Sequence, residues 1–236
     1  MADVPAKLLP ASALPAERAK TCALSFTAAF VDTAVFVGLF GLFTAHVTGN
    51  FVLIGYELVH ASGDVWPKLL AFPAFIAAVA VAVKVAVALE RRHTTPVPIL
   101  LYIEAALLLA AVAAVGARAP AHATDASALA GGMLAAAAMG MQNAMMRLEL
   151  ATLPSTTVMT VNVTQGVIDV VTLLSTADAA KRDEARRRFS RMWPPLVAFA
   201  AGAASGALGY ALAGFAALLV PFALCVLLGA LWRRGQ

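Results

Sequence analysis

Long apolar stretches separated by short polar or basic segments run through most of the chain. Six of them are about 20 residues long, the length of α-helix that crosses about 30 Å of hydrocarbon. Membrane β-strands would instead show ten-residue stretches of alternating character. The pattern therefore predicts an all-α membrane helical bundle of six transmembrane helices. They are placed at 21–43, 67–89, 97–117, 127–149, 194–213 and 215–232.

The composition agrees with this pattern. Hydrophobic residues make up 61% of the 236 residues and charged residues only 13%, and the mean hydropathy is +0.85. A water-facing surface needs far more charge than this. The expected surroundings of the protein are a lipid bilayer.

Positive charge sets the predicted orientation, because Lys and Arg accumulate on the cytoplasmic side of a membrane. With six crossings and a cytoplasmic N-terminal tail at 1–20, most basic residues lie inside, and Lys68 and Arg118 remain outside. If the two shorter apolar segments, 48–60 and 156–174, also crossed, Arg91 and Arg92 would move outside. We therefore expect both termini in the cytoplasm and interpret the two segments as re-entrant or interfacial.

A polar phrase occurs twice in this apolar sequence, at Thr44–Asn50 and at Thr156–Asn162. The copies share Thr, Thr and Asn at the same internal spacing, 112 residues apart, and an acid follows each one, Glu57 and Asp169. Polar groups at bilayer depth are costly unless they are paired, so the repeated phrase marks a candidate binding centre.

The duplication extends beyond the phrase. Leu69–Phe72 resembles Leu196–Phe199 at an offset of 127, so the second half has gained 15 residues, which coincide with a basic segment at 177–191. We interpret this segment as a short cytoplasmic helix and predict repeats at 21–117 and 127–232. Three spans per half is an odd number, so the halves should be inverted in the membrane, with the polar segments entering from opposite faces.

Three titratable side chains are candidates for proton or cation coupling. An acid at the centre of a span costs roughly 2.5–3.5 kcal/mol on insertion scales, so Asp32 should either bind a proton or cation or be a buried, hydrogen-bonded structural acid. Glu104 lies deep in the third span and is either a coupling site or, as we favour, the partner of Lys84 in an ion pair. His46 titrates near neutral pH and is either a proton relay or a structural residue.

Substrate ligands are predicted in the two phrases and on the fourth span. In the first copy, Thr48, Gly49 and Asn50 combine a hydroxyl, backbone freedom and a helix-capping side chain, a break that would direct free backbone N–H groups at a ligand. The corresponding ligands in the second copy are Thr160 and Asn162, with Val161 in place of Gly49. Because Val resists positive φ, we expect the first copy to carry more of the chemistry. Opposite them, Gln142 and Asn143 are the approximate counterparts of Asp32.

Other features indicate packing. Small residues at Gly132, Ala136 and Gly140, and at Gly202 and Gly206, form rows that let helices approach closely. Cys22 and Cys225 are interpreted as small core residues. Metal-ligand spacing and nucleotide or hydrolase signatures are absent from the sequence, so we expect no metal, no cofactor, no nucleic-acid partner and no enzymatic activity.

The sequence resembles the YoaK family, bacterial membrane proteins of unknown function. The resemblance rests on Phe30–Asp32, Ala45–Asn50, Met139–Ala144 and Thr157–Asn162, and it covers nearly the whole chain. It implies a six-span protein of the bacterial inner membrane and says little about the substrate.

Three functions are compatible with these features. The leading hypothesis is a secondary transporter or channel for a small solute or ion, with a polar site at the membrane midplane. The alternative is a non-transporting membrane scaffold or lipid-interacting factor whose polar motifs are helix-packing elements. An intramembrane enzyme using His46 with Asp32 or Glu57 has the least support, because nothing resembles an activated nucleophile. Homo-oligomer formation is left open.

Overall fold

The computed structural model describes residues 14–60, 65–116 and 120–234. This part of the chain is built from helices and short connections, without a β-strand, so the all-α prediction is confirmed. The helices are α1 (Leu14–Gly38), α2 (Gly49–His60), α3 (Val65–Glu90), α4 (Val97–Val115), α5 (Ala126–Leu148), α6 (Met159–Ser175), α7 (Ala179–Ala213) and α8 (Leu219–Arg234), with a 3-10 helix at Gly214–Leu218. Most of the predicted tail and Arg118 lie outside the described residues.

Four helical segments of the described part are long and apolar enough to cross a membrane. They are Glu17–Gly38, Val65–Glu90, Val97–Val115 and Ala179–Arg233. The last one contains both the fifth and the sixth predicted spans. α5 has 23 residues but is not among the four, because Gln142, Asn143 and three glycines make it less apolar. The fold is thus an apolar helical bundle of the kind found in integral membrane proteins.

The two shorter apolar segments form short helices. α2 has 12 residues and α6 has 17. At 1.5 Å per residue these are about 18 Å and about 26 Å long, less than the roughly 30 Å of a hydrocarbon core. Neither helix is long enough to cross a membrane at right angles by itself.

The basic segment is not a separate helix, so that prediction was wrong. It forms the first part of α7, a continuous helix of 35 residues that passes through Pro194 and Pro195. Asp178 caps its first turn by accepting hydrogen bonds from the backbone N–H groups of Ala180 and Lys181. α1 likewise begins earlier than predicted, at Leu14, within the 1–20 segment.

The two halves exchange packing partners. If α1 corresponds to α5 and α3 to α7, the first helix of each half packs on the third helix of the other, α1 on α7 and α5 on α3. The short helices stay within their own halves, with α2 on α3 and α6 on α7, and α4 packs on both α5 and α8. The halves are therefore interlocked rather than side by side.

Glycines allow the two crossings between halves. A Cβ atom on Gly202 or Gly206 of α7 would lie 2.4 Å from the backbone oxygen of Phe26 or Phe30 in α1, respectively. A Cβ atom on Gly140 of α5 would lie 2.8 Å from the backbone oxygen of Phe75 in α3. Such distances are too short for a side chain, so the predicted packing role of these glycines is confirmed.

Candidate functional site

The first polar loop, residues 39–48, is held by Asp32. After α1 ends, the chain turns through Phe40 and Gly41, which have positive φ values of 55° and 75°, and returns alongside the helix. Asp32 Oδ1 then accepts hydrogen bonds from the backbone N–H of Thr44 at 2.7 Å, the Thr44 hydroxyl at 3.1 Å and the backbone N–H of Ala45 at 2.7 Å. These hydrogen bonds are the ones expected if Asp32 is a buried structural acid.

His46 completes the environment of Asp32. Its Nδ1 lies 2.6 Å from Asp32 Oδ2, and this hydrogen bond raises the pKa of His46, to which the backbone of Thr157 also contributes. The ring lies edge-on to Phe199 of α7, with 5.8 Å between the ring centroids. The side chain is 37% exposed. His46 thus contacts its own loop, α7 and the second copy of the phrase.

The second polar loop, residues 149–158, is held by amides of α5 instead of a carboxylate. Gln142 Nε2 donates to the Thr156 hydroxyl at 3.1 Å and to the backbone oxygen of Leu24 at 2.9 Å. Asn143 Oδ1 accepts a hydrogen bond from the Thr157 hydroxyl at 2.7 Å. Thr156 corresponds to Thr44, so the predicted match between Asp32 and this amide pair is seen in the contacts. Gln142 Oε1 is buried and has no hydrogen-bond partner among the described residues.

The asparagines of the two copies make corresponding hydrogen bonds. Asn50 Nδ2 donates to the backbone oxygen of Phe43 at 2.8 Å, and Asn50 Oδ1 accepts from the Phe43 N–H at 2.9 Å. Asn162 Nδ2 donates to the backbone oxygen of Ser155, also seven residues earlier, at 2.8 Å. Both asparagines therefore hold the loop that precedes their own short helix, a positioning role that differs from the predicted ligand role.

The expected special backbone at Gly49 is not found. Gly49 is the first residue of α2 and has no positive φ, so Val161 is compatible with the corresponding place in α6. What Gly49 provides is space, because a Cβ atom there would lie 3.0 Å from the Phe43 ring.

The two short helices begin differently. At α2 the N–H groups of Gly49, Asn50 and Phe51 already donate to the backbone oxygens three residues earlier, at 2.7–3.2 Å. The prediction that this copy directs free N–H groups at a ligand was therefore wrong. The start of α6 has no side-chain cap. Thr48 and Thr160, both predicted ligands, are exposed.

An ion pair fastens each short helix to the long helix that follows it. Glu57 of α2 pairs with Lys68 of α3 at 2.5 Å, and Asp169 of α6 pairs with Arg188 of α7 at 2.8 Å. Sequence reasoning found the two acids but missed their basic partners. The available signal was the acid that follows each phrase, which requires a nearby cation if it is buried.

Glu104 lies apart from the loops, in the contact between α4 and α8. It is fully buried, and neither carboxyl oxygen has a hydrogen-bond partner of ordinary geometry in the described part, although the Cys225 thiol interacts with it. The favoured ion pair with Lys84 is not formed, because Lys84 is exposed on α3. Cys225 is fully buried, as expected of a core residue.

The apolar bundle with paired polar loops defines the protein as one of the integral membrane class. More particularly, the chain belongs to a family of proteins of unknown function, DUF1275, whose profile matches residues 21–231. YoaK is a member of this family, so the resemblance seen in the motifs holds at the family level. No curated protein and no solved structure matches the chain.

Proposed function

We propose that the protein is a secondary transporter or channel for a small polar solute, built from two inverted halves with six crossings. The observation that supports this most directly is the meeting of the two polar loops, where His46 of the first lies against the backbone of Thr157 in the second. Irregular backbone at membrane depth is tolerated where it is buried in protein or lines a polar cavity. Transporters of inverted-repeat design place their binding sites between such broken segments.

The direction of the helices supports opposite entry of the two loops. α1 and α7 are parallel, because contacts between them advance along both helices in the same direction. Near the start, Arg18 donates a hydrogen bond to Ser190. Further along, Phe26 approaches Gly202 and Phe30 approaches Gly206. With the basic ends of both helices in the cytoplasm, the loop after α1 enters from outside. The loop after α5 then enters from the cytoplasm, and the two approach each other within the bilayer.

In this mechanism His46 and Asp32 act together as the coupling site. Asp32 is saturated by hydrogen bonds, so it serves as the fixed counter-charge, and the partly exposed imidazole of His46 exchanges the proton. Gln142 offers an unpaired buried oxygen to the solute. Asn50 and Asn162 keep the loops in place.

The proposal is tested by flux into proteoliposomes that enclose a pH-sensitive dye. Pools of small anions, cations and neutral solutes are added with and without a pH gradient. Asp32→Asn keeps the shape of the side chain but removes its charge, so we expect a folded protein without gradient-driven flux. Asp183→Asn, an exposed carboxylate of α7, serves as the matched control. Undiminished flux in the Asp32→Asn protein would rule out this coupling site.

One observation favours the scaffold alternative. Asp32 and Asn50 are both fully engaged in holding the first loop, which is what a purely structural motif requires. A scaffold would show no flux with any pool, while Asp32→Asn would leave its fold unchanged. The same proteoliposome experiment therefore separates the two functions.

A further inference from the structure

A small polar cavity lies where the start of α1, the second polar loop and α7 meet. Its volume is about 20 Å³, and its polar lining consists of Glu17, Arg18, Thr21, Thr152 and Arg191. A space of this size holds about one water-sized group. Arg18 and Arg191 are each half-buried, so the cavity lies at the edge of the bundle.

The two arginines in this cavity have unused hydrogen-bonding capacity. Arg18 donates through Nη2 to the Ser190 hydroxyl at 3.1 Å, but its Nε is buried and has no partner among the described residues. Neither Arg18 nor Arg191 forms an ion pair within the same described ranges, although Glu17 shares the cavity. A buried guanidinium N–H without an acceptor costs free energy, and two neighbouring cations repel each other. An oxyanion between them would relieve both effects, because a guanidinium binds carboxylate and phosphate oxygens with fork geometry.

We propose that this cavity binds an oxyanion, with one oxygen of a carboxylate or phosphate group held between Arg18 and Arg191. The Thr21 hydroxyl already donates to the backbone oxygen of Glu17 at 2.8 Å, so its donor capacity is used. The guanidinium groups therefore supply the binding, and the exposed residue Thr152 lines the same cavity. The remainder of the anion stays outside the enclosed volume.

The site is connected to the polar loops by one face of α1. Positions 18, 21, 25 and 32 follow each other at helical spacings and share that face. Thr21, Ser25 and Asp32 are buried, with exposures of 2%, 0% and 4%, and the Ser25 hydroxyl has no partner in the described part. If the protein is the transporter or channel proposed above, this stripe makes the cavity the cytoplasmic entrance to the transport site. The transported solute is then a small anion. Binding itself does not depend on transport.

The test measures thermal unfolding of the purified protein in sodium phosphate and in sodium acetate, against sodium chloride at equal ionic strength. An anion that binds the folded state raises the midpoint by mass action. We expect Arg18→Gln and Arg191→Gln each to weaken apparent affinity roughly tenfold or more, the effect of losing a charge-assisted hydrogen bond. Arg18→Lys keeps the charge without the fork and should lie between. Arg187→Gln, which removes an exposed arginine of α7, should change nothing.

A second arm separates a free anion from a lipid headgroup. The same variants are melted in nanodiscs of phosphatidylglycerol or of phosphatidylcholine without added phosphate. Stabilisation by phosphate or acetate identifies a free oxyanion, and stabilisation by phosphatidylglycerol alone identifies a headgroup. Loss of either kind of stabilisation in both Arg18→Gln and Arg191→Gln supports the site. Equal stabilisation of all variants, or no stabilisation by phosphate, acetate or phosphatidylglycerol, overturns it. Retained anion binding without flux would instead contradict only the proposed transport.

Discussion

The two polar loops have the same plan but different chemistry. In each, a side chain on a long helix holds a threonine of the phrase, and an asparagine bonds back to the residue seven positions earlier. The first loop is anchored by a carboxylate that has no free acceptor capacity. The second is anchored by neutral amides, and Gln142 keeps an unpaired oxygen. The same geometry therefore gives a closed loop in one half and a loop with spare binding capacity in the other.

The two loops also differ in which titratable and unpaired polar groups they contain. The titratable group, His46, belongs to the first loop, and the corresponding position in the second is Val158. The unpaired amide oxygen and the uncapped start of α6 belong to the second. We had expected the first copy to carry more of the chemistry. That expectation stays a prediction, because the titratable side chain lies in the first loop and the unpaired acceptor lies beside the second.

The two ion pairs also differ, in how deeply their side chains are buried. The side chains of Lys68 and Glu57 are 1% and 9% exposed, whereas that of Arg188 is 40% exposed and that of Asp169 is 0% exposed. Water screens a half-exposed pair and reduces its strength. The ion pair between α6 and α7 is therefore expected to contribute less stability than the one between α2 and α3.

The largest expected effect concerns these pairs. Lys68→Met leaves Glu57 buried without its cation, and the loss of one partner of a buried pair costs about 3–5 kcal/mol of unfolding free energy. Arg188→Met should cost about 1 kcal/mol, because its partner gains access to water. Unfolding of the detergent-solubilised protein measures both. Lys84→Met, an exposed lysine of the same helix as Lys68, is the control. Equal losses of unfolding free energy in Lys68→Met and Arg188→Met would show that the two ion pairs do not differ in strength.

The next largest effect is expected at Asp32 and Gln142, the side chains that hold the two loops. Asp32→Ala leaves the backbone N–H groups of Thr44 and Ala45 without acceptors, at a cost of about 3 kcal/mol for two unsatisfied donors. Gln142→Ala removes two neutral hydrogen bonds and should cost about 1–2 kcal/mol. Thermal unfolding compares them, with Asp32→Asn as the variant that retains an acceptor oxygen. If Gln142→Ala were the more damaging change, the second loop would be the more firmly anchored one.

A smaller difference is expected at the asparagines. Asn50→Ala removes two hydrogen bonds to Phe43 and should cost about 2 kcal/mol, whereas Asn162→Ala removes one backbone hydrogen bond and should cost about 1 kcal/mol. Amide hydrogen exchange provides a local measurement, with faster exchange in 39–48 for the first variant and in 149–158 for the second. Exchange that increased in both loops for either variant would show that the loops are coupled rather than independent.

The smallest expected effect is a pH dependence confined to the first loop. The hydrogen bond to Asp32 raises the pKa of His46 above its ordinary value of 6.5. Protonated His46 therefore stabilises the fold fully below pH 6.5, and this contribution is lost as the pH rises through the raised pKa. Melting curves from pH 5 to 9 should show a smaller loss of stability in His46→Gln than in the wild type. Val158→His would show whether the second loop supports the same titration.

The sequence predicted the long helices and the paired phrases because both depend on local pattern. Apolar stretches of membrane length are readable residue by residue, and the phrase repeats at a constant spacing. The extent of α7 was mispredicted, since the polar, basic character of 177–191 suggested a separate cytoplasmic helix, whereas the helix continues into the apolar span. The ion pair of Glu104 with Lys84 was also wrong, because helical depth says nothing about which side of a helix a residue faces.

The partners of the buried groups could not be predicted from the sequence. Lys68 was interpreted only as an outer charge and Arg188 only as one of a basic group, yet each neutralises the acid that follows a phrase. Their pairing depends on how each short helix lies against the next long one. The closed start of α2 depends similarly on the tight turn at 46–51, which the polar pattern alone does not reveal.

The sequence by itself determined that this is a helical membrane protein with a duplicated polar phrase, because hydrophobicity and repetition are properties of the linear chain. Only the tertiary structure decided that α1 packs on α7 and α5 on α3, that the two loops meet at His46 and Thr157, and that Arg18 and Arg191 share a cavity. These relations join residues that lie far apart in the sequence. They arise from the close approach of helices at glycines and from the stability that most buried polar groups gain by finding a partner.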